Sequence, residues 1–179
     1  MLLPPFLFAR AERLARAHDL RGLLALFVDP GEKDWQRAIA ANAFAELHAE
    51  LGSMRDAIVA ALLRSVDEDP PNVRSQALFA LAEIGASDAM PAFRQAARDR
   101  DFIIRTFAAH GFMRLATSSA LADLSRLVED DESQVREAAV SALAALGPEG
   151  RLLVERVARQ DPYRWVRDSA REALAKRIA

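Results

Sequence analysis

The chain has 179 residues, 51% of them hydrophobic, and a formal net charge of −2. That length and apolar content suffice for one packed domain, and the near-neutral charge argues against nucleic acid as the partner, because such binders work through a basic surface. The sequence holds no cysteine, which removes disulfide frameworks, thiolate zinc sites and thiol catalysis together.

Taken in chain order, the first segment is apolar, with Leu2, Leu3, Phe6, Leu7 and Phe8. No charged stretch precedes it and Pro4 and Pro5 interrupt it, unlike a secretory signal. No segment approaches the roughly 20 apolar residues of a membrane span. The expectation is a cytoplasmic protein with no membrane partner. The pattern predicts an amphipathic helix from Pro5 to His18. Its apolar residues, Leu14 included, are too many to stand in water, so residues 1–18 cap the first unit or meet a partner, a second copy of the chain among the alternatives.

Five helix pairs follow. Residues 19–52 read as a helix from Leu20 to Val28, an Asp29-Pro30-Gly31 turn, and a helix in which Arg37 precedes Ala40, Ala43, Phe44 and Leu47. Residues 53–85 repeat this with a helix from Ala57 to Val66, the breaker Asp69-Pro70-Pro71, and Val73-Arg74 before Ala77, Ala80, Leu81 and Ile84. In residues 86–116 the first helix runs from Ala89 to Arg98, and Ile104-Arg105 leads Ala108, Gly111, Phe112 and Leu115. Residues 117–147 give Leu121 to Val128, then Val135-Arg136 with Ala139, Ala142, Leu143 and Leu146. Residues 148–179 give Leu152 to Ala158, Asp161-Pro162, and Val166-Arg167 with Ala170, Ala173 and Leu174. Proline near a helix start is harmless there, and Gly52, Gly85 and Gly147 end second helices as C-terminal glycines do.

Arg74, Arg105, Arg136 and Arg167 are each 31 residues apart. Helical periodicity sets no such register, so a duplicated unit explains it. Arg37 lies 37 residues before Arg74, about one helical turn more, with Ala49-Glu50-Leu51 as the lengthening. Offsets 3, 6, 7 and 10 from the Arg fall on one side of a helix and form a buried stripe with small residues at the close approaches. The predicted fold is all-α: a right-handed α-α superhelix of about five helix pairs plus the N-terminal helix, one domain over residues 1–179, each unit touching only its neighbours.

Segments such as Asp161-Pro162-Tyr163-Arg164-Trp165-Val166-Arg167-Asp168-Ser169-Ala170 and Ser133-Gln134-Val135-Arg136-Glu137-Ala138-Ala139 resemble HEAT repeats of the phycobilisome-lyase type. The resemblance covers residues 53–179 well and 19–52 weakly, and such repeats serve scaffolds, adaptors, assembly factors and a few enzymes. It implies a structural ladder of turn acids and helix arginines, here Arg37, Arg74, Arg105, Arg136 and Arg167, with Glu68, Asp99, Asp130 and Asp161 six residues before the last four. A basic binding stripe is the alternative role for that column.

The inventory for catalysis is thin. His18, His48 and His110 lie in different units, and no His-x-x-x-His pair places two ligands on one helix face. No catalytic residue, metal site or cofactor is expected. Deoxyhypusine hydroxylase, a HEAT-repeat di-iron enzyme, uses His-Glu dipeptides, whereas here Ala49 follows His48 and Gly111 follows His110. HEAT-like DNA glycosylases use a groove over a basic surface, which the acidic balance disfavours, and no lyase-specific motif is evident.

A partner surface is easier to name. If offsets 3, 6, 7 and 10 face inward, offsets 1, 5 and 8 point out from the Arg-bearing helices, which line the concave surface of such stacks. That places Phe79, His110 and Met113 on this face, with Leu78 and Phe107 at its edges, as a docking site for a protein segment. Burial between units is the alternative for the cluster. Trp35 and Trp165 sit two residues before the Arg column as ridge contacts or packing. The last unit, with Asp168, Arg171, Glu172, Lys176 and Arg177, reads as a polar cap whose excess of basic residues suits an acidic partner. The function expected is a non-catalytic scaffold or adaptor that binds another protein on its concave face. The alternative is an enzyme or enzyme subunit of lyase or DNA-glycosylase type built on the same repeats.

Overall fold

Every predicted helix pair forms. The computed structural model describes residues 9–176, so Leu2, Leu3, Phe6, Leu7, Phe8 and the start of the predicted Pro5–His18 helix lie outside the described residues. Eleven α-helices run through them: α1 (Arg10–Arg16), α2 (Leu20–Val28), α3 (Asp34–Glu46), α4 (Arg55–Glu68), α5 (Pro71–Glu83), α6 (Met90–Ala96), α7 (Phe102–Leu115), α8 (Leu121–Leu127), α9 (Ser133–Ala145), α10 (Pro148–Gln160) and α11 (Arg164–Ala175). Starts follow from local chemistry. Asp19 and Asp101 accept hydrogen bonds from the amides of Gly22 and Ile103, both at 2.9 Å, and Pro71 and Pro148 stand where a missing N–H costs nothing.

The helices gather into two compact units, Met1–Ala89 and Met90–Ala179. In the first, α2 packs on α3, α4 on α5, the second helices α3 and α5 lie side by side, and α1 covers α2 and α3. In the second, α6 packs on α7, α8 on α9 and α10 on α11, while α7, α9 and α11 form a consecutive row. The extra length between Arg37 and Arg74 is taken up after α3 by short 3-10 turns at His48–Glu50 and Gly52–Met54, between which Leu51 is buried.

The seam is made of the residues that the repeat pattern selects. Ala40, Ala77, Ala108, Ala139 and Ala170 at offset 3 have no exposure, nor do Phe44, Leu81, Phe112 and Leu143 at offset 7. Offset 10 is looser, because Ile84, Leu115 and Leu146 lie near helix ends and stay half-buried. Offset 4 belongs to the core as well: Ala41, Leu78, Ala109 and Val140 are fully buried. Second helices lie beside one another as well as on the first layer, so one flank of each is covered along with its inner stripe. In α11 the same position is Arg171, which is exposed.

The third repeat departs from the others by an exchange of volume. Offset 6 is alanine in the other four repeats, Ala43, Ala80, Ala142 and Ala173, and Gly111 here, and a methyl group built on Gly111 would stand only 2.3 to 2.6 Å from the ring of Phe93. Leu62 and Leu124 hold the positions equivalent to Phe93 and are fully buried, as Phe93 is. The glycine thus makes room for a phenylalanine where other repeats pair Leu with Ala, and Phe93 meets Phe112 edge-on with ring centres 6.3 Å apart. Gly111→Ala should therefore cost about 1–3 kcal/mol by overpacking. Adding Phe93→Leu to that variant should recover part of the loss, as chemical denaturation will read; additive losses would count against the exchange.

The same repeat ends on an unusual residue. Gly85 and Gly147 turn the chain at φ +67 and +75, and the residue midway between them, Ala116, adopts φ +44 with a side chain present. The left-handed region disfavours a Cβ by about 1–2 kcal/mol. Ala116→Gly should accordingly raise stability by about 1 kcal/mol, measurable as a higher denaturation midpoint with an unchanged slope.

Candidate functional site

The arginine column forms the ladder that the resemblance implies, with a definite direction. In the second unit, Arg105 Nη1 donates to the carbonyls of Asp99 and Arg100 in its own turn at 2.9 and 3.0 Å. Its opposite edge, Nε and Nη2, grips both carboxylate oxygens of Asp130 in the next turn at 2.7 and 2.8 Å. Arg136 repeats the arrangement, with Nη1 on the carbonyls of Asp130 and Asp131 and Nε and Nη2 on Asp161 at 2.6 and 3.1 Å. Arg167 Nη1 takes the carbonyls of Asp161 and Pro162. In the first unit Arg37 reaches the Phe27 carbonyl through Nε and both oxygens of Asp69 through Nη1 and Nη2, and Arg74 Nε reaches the Val66 carbonyl.

Asp130 and Asp161 therefore each serve three structural roles. In both, the carboxylate receives the preceding Arg, one oxygen also accepts an amide two residues on, and the carbonyl receives the following Arg. Asp130 accepts from Glu132 N at 3.0 Å and Asp161 from Tyr163 N at 2.9 Å. One correction concerns the second turn, where the acid engaged is Asp69 and not Glu68, which is exposed. Pro71 lies two residues beyond Asp69 and has no amide to offer, so that aspartate lacks the turn bond its counterparts make.

Electrostatics follow the geometry. Burial pushes the Asp130 carboxyl up, but the Arg105 hydrogen bonds, the Glu132 amide and the charges of Arg105 and Arg136 outweigh it, leaving its pKa below the ordinary carboxylate value. Asp161 is lowered in the same way: burial opposes the shift and Arg136, the Tyr163 amide and Arg167 prevail. A carboxyl depressed in the folded state stabilises the fold above its unfolded pKa, about 3.9, and loses that contribution as pH falls through the folded value. Stability should thus hold from neutrality to about pH 4–5 and drop below it. An Asp130→Asn, Asp161→Asn variant should be less stable at pH 7 and show a shallower acid limb. Parallel curves for the two proteins in urea melts across pH would contradict the assignment.

The residues expected to meet a partner divide. Leu78 cannot serve: at offset 4 it occupies the covered flank and is fully buried. Phe79, Phe107, His110 and Met113 are half-buried on α5 and α7, and Ser141, Ala144 and Glu172 occupy offsets 5 and 8 on α9 and α11. Offset 8 is not uniformly outward, since Ala45 and Ala82 are buried. Within the second unit Glu137, Ser141, Ala144, Ser169, Glu172 and Lys176 line an open depression of about 420 Å³ along α9 and α11. Across it Ser169 Oγ donates to Glu137 at 3.0 Å, and Lys176 pairs with Glu172 at 2.7 Å. Trp35 and Trp165 are 49% and 45% exposed, so neither ridge tryptophan is packed away; Phe102, Ile103 and Tyr163 are exposed at related turn positions. Sequence reasoning passed over Phe102 and Tyr163, although both adjoin helix starts that it had placed.

Among the described residues no helix is long and apolar enough to cross a membrane, and no group of three or more His, Asp or Glu side chains could hold a metal ion. His18 Nδ1 meets Glu50 at 2.7 Å and His48 Nδ1 meets the Ala45 carbonyl at 2.8 Å.

Paired helices in which successive second helices line up define an all-α superhelical repeat protein. The HEAT-repeat family matches residues 21–109, 55–144 and 107–175, and the chain belongs to that family. No curated protein matches the chain. Among solved structures, a designed armadillo repeat protein in complex with the peptide (KR)4 is 19% identical, with TM-score 0.72 over 92% of this chain and 84% of that one. The complex of CpcE and CpcF of phycocyanin lyase from Nostoc sp. PCC7120 is 22% identical, with TM-score 0.68 over 88% of this chain and 99% of that one. Human deoxyhypusine hydroxylase is 18% identical, with TM-score 0.56 over 92% and 76%. These likenesses establish the fold.

Proposed function

We propose that the chain is a non-catalytic protein–protein interaction scaffold, working in the cytoplasm, that takes a partner segment on the concave face of its second helices. The observation that carries this reading lies in the second unit, where Phe107, His110 and Met113 are half-buried large side chains on α7 and an open depression lined by small and polar residues runs along α9 and α11; in the first unit Phe79 is half-buried at offset 5 of α5. The repeat fold supports it, since the designed armadillo protein with the same architecture is in complex with a peptide, and a second design of this class, at TM-score 0.62, serves modular peptide recognition. Nucleic acid is not the partner in this reading, and no cofactor takes part. The apolar N-terminal segment, residues 1–18, is the candidate contact for a second copy of the chain.

A Phe79→Asp, Met113→Asp double variant tests this face. Loss of the apolar contact of even one such side chain is worth about 1.5 kcal/mol or more, so capture of partner proteins from a native lysate should fall at least about tenfold while the helical spectrum is kept. Equal capture of the same proteins by both forms would reject the face.

The second reading, a subunit of a lyase-type enzyme, is favoured by the likeness to the CpcE–CpcF complex, in which this chain matches nearly the whole length of its counterpart. The DNA-glycosylase form of that reading is disfavoured by the slightly acidic charge balance. Deoxyhypusine hydroxylation is disfavoured by the missing His-Glu dipeptides, despite the shared fold.

A further inference from the structure

The first helices of the second unit carry an imbalance of charge. Asp123, in the first turn of α8, is buried, with its side chain 9% exposed, and a carboxylate there needs a cation beside it. Three arginines surround it. Arg94 Nε, in the last turn of α6, lies 3.4 Å from Oδ2, while Arg126 Nη2 and Arg98 Nη2 lie 3.4 and 3.8 Å from Oδ1. Arg94 Nη2 also donates to the Ser119 carbonyl at 3.1 Å, which ties that side chain down. One carboxylate offsets one guanidinium, so the cluster keeps two positive charges. Its contacts are longer than those of the ladder, where Arg105 meets Asp130 at 2.7 and 2.8 Å, and the three arginine side chains are 42 to 66% exposed. Most of their N–H donors are therefore turned to solvent around a common centre.

We propose that Arg94, Arg98 and Arg126 form a receptor for a phosphomonoester group, free or carried by a serine of a polypeptide, seated on the solvent side of Asp123. Such a group bears close to two negative charges near neutral pH and three acceptor oxygens, which matches both the charge left over and the number of guanidinium groups. A carboxylate or a phosphodiester supplies one charge and fewer free oxygens. Asp123 is a positioning residue here: it holds three mutually repelling cations together, so less ordering remains to be done on binding. Asp99, Glu129, Asp130 and Asp131 line the depression that Arg98 and Arg126 border. Arg156 engages Glu129 at 2.9 Å and Arg105 engages Asp130, while Asp99 and Asp131 keep an anion out of that depression and towards Arg94. The site lies on the first-helix layer and the proposed partner face on second helices, so either can fail without the other.

The experiment follows the arginine Nε–H signals of the 15N-labelled full chain by NMR, each of the three identified by its loss in the corresponding Arg→Gln variant. The probes are inorganic phosphate, acetylated and amidated phosphoserine, dimethyl phosphate and sodium acetate, all at constant ionic strength. The expected result is a saturable shift of the Arg94, Arg98 and Arg126 signals with phosphate and with phosphoserine, and affinity at least about tenfold weaker for the diester and for acetate. Arg94→Gln should weaken binding at least about tenfold, read on the Arg126 signal, whereas Arg151→Gln, which removes an equal charge from α10, should leave it within about twofold. Tighter binding of phosphoserine than of phosphate points to a modified polypeptide as the source, and the reverse to the free ion; both support the receptor. No saturable shift with either overturns the site. Acetate or diester binding as tightly overturns the phosphomonoester as its ligand, and equal weakening by Arg94→Gln and Arg151→Gln reduces the effect to diffuse surface charge and overturns it as well.

Discussion

The architecture depends on one side-chain arrangement, an arginine that fastens its own turn with one edge and the next turn with the other. Isolated surface ion pairs contribute little, because solvent screens them and long side chains lose freedom in forming them. These are different. Asp161 and Arg136 side chains are 3% and 8% exposed, their bonds are bidentate, and the carbonyls satisfy the remaining donors of Nη1. A charge buried in this manner is costly if its partner is lost, so the rung fixes which turn sits against which arginine. Alanine seams alone would permit a helix to slide by a turn, since Ala77 and Ala80 present nearly the same surface to a neighbour; a guanidinium that must meet one carboxylate does not.

Around that frame the apolar core adjusts locally. Alanine at offsets 3 and 6 brings helices close, and the third repeat exchanges an Ala and Leu pair for Gly111 and Phe93. The close approach recurs at Gly150, where an added methyl group would lie 2.1 Å from the Leu143 carbonyl oxygen. Such contacts involve backbone and cannot relax as a flexible side chain would, which ties the start of α10 rigidly to α9.

Much of this was legible in the sequence, for a physical reason. A repeat that buries the same face five times writes the same residues at the same spacing, so the helix pairs, the offsets 3 and 7 and the arginine column could be read from one chain. The direction of the ladder could not. An acid six residues before an Arg can serve that Arg or the one before it, and the spacing of 31 accommodates both; only geometry shows that the carbonyl serves one and the carboxylate the other. Of the two roles the sequence leaves open for Leu78, burial is the one realised, because offset 4 joins the core although the inner stripe at offsets 3, 6, 7 and 10 does not include it. Function is harder to read, because surface side chains answer to no packing constraint that a repeat would write at fixed spacing, and nothing in the pattern marks Phe102 and Tyr163, which the fold leaves exposed.

The claim that the rungs join neighbouring repeats is tested most directly by a double-mutant cycle on Arg136 and Asp161, with Arg136→Met, Asp161→Asn and the pair compared by urea denaturation. Removing either partner alone should cost about 3–5 kcal/mol, and the pair should cost less than the two losses together by at least about 1.5 kcal/mol. Losses that add to within about 0.5 kcal/mol would mean that the two side chains are uncoupled, and that the apolar seams alone hold the stack in register.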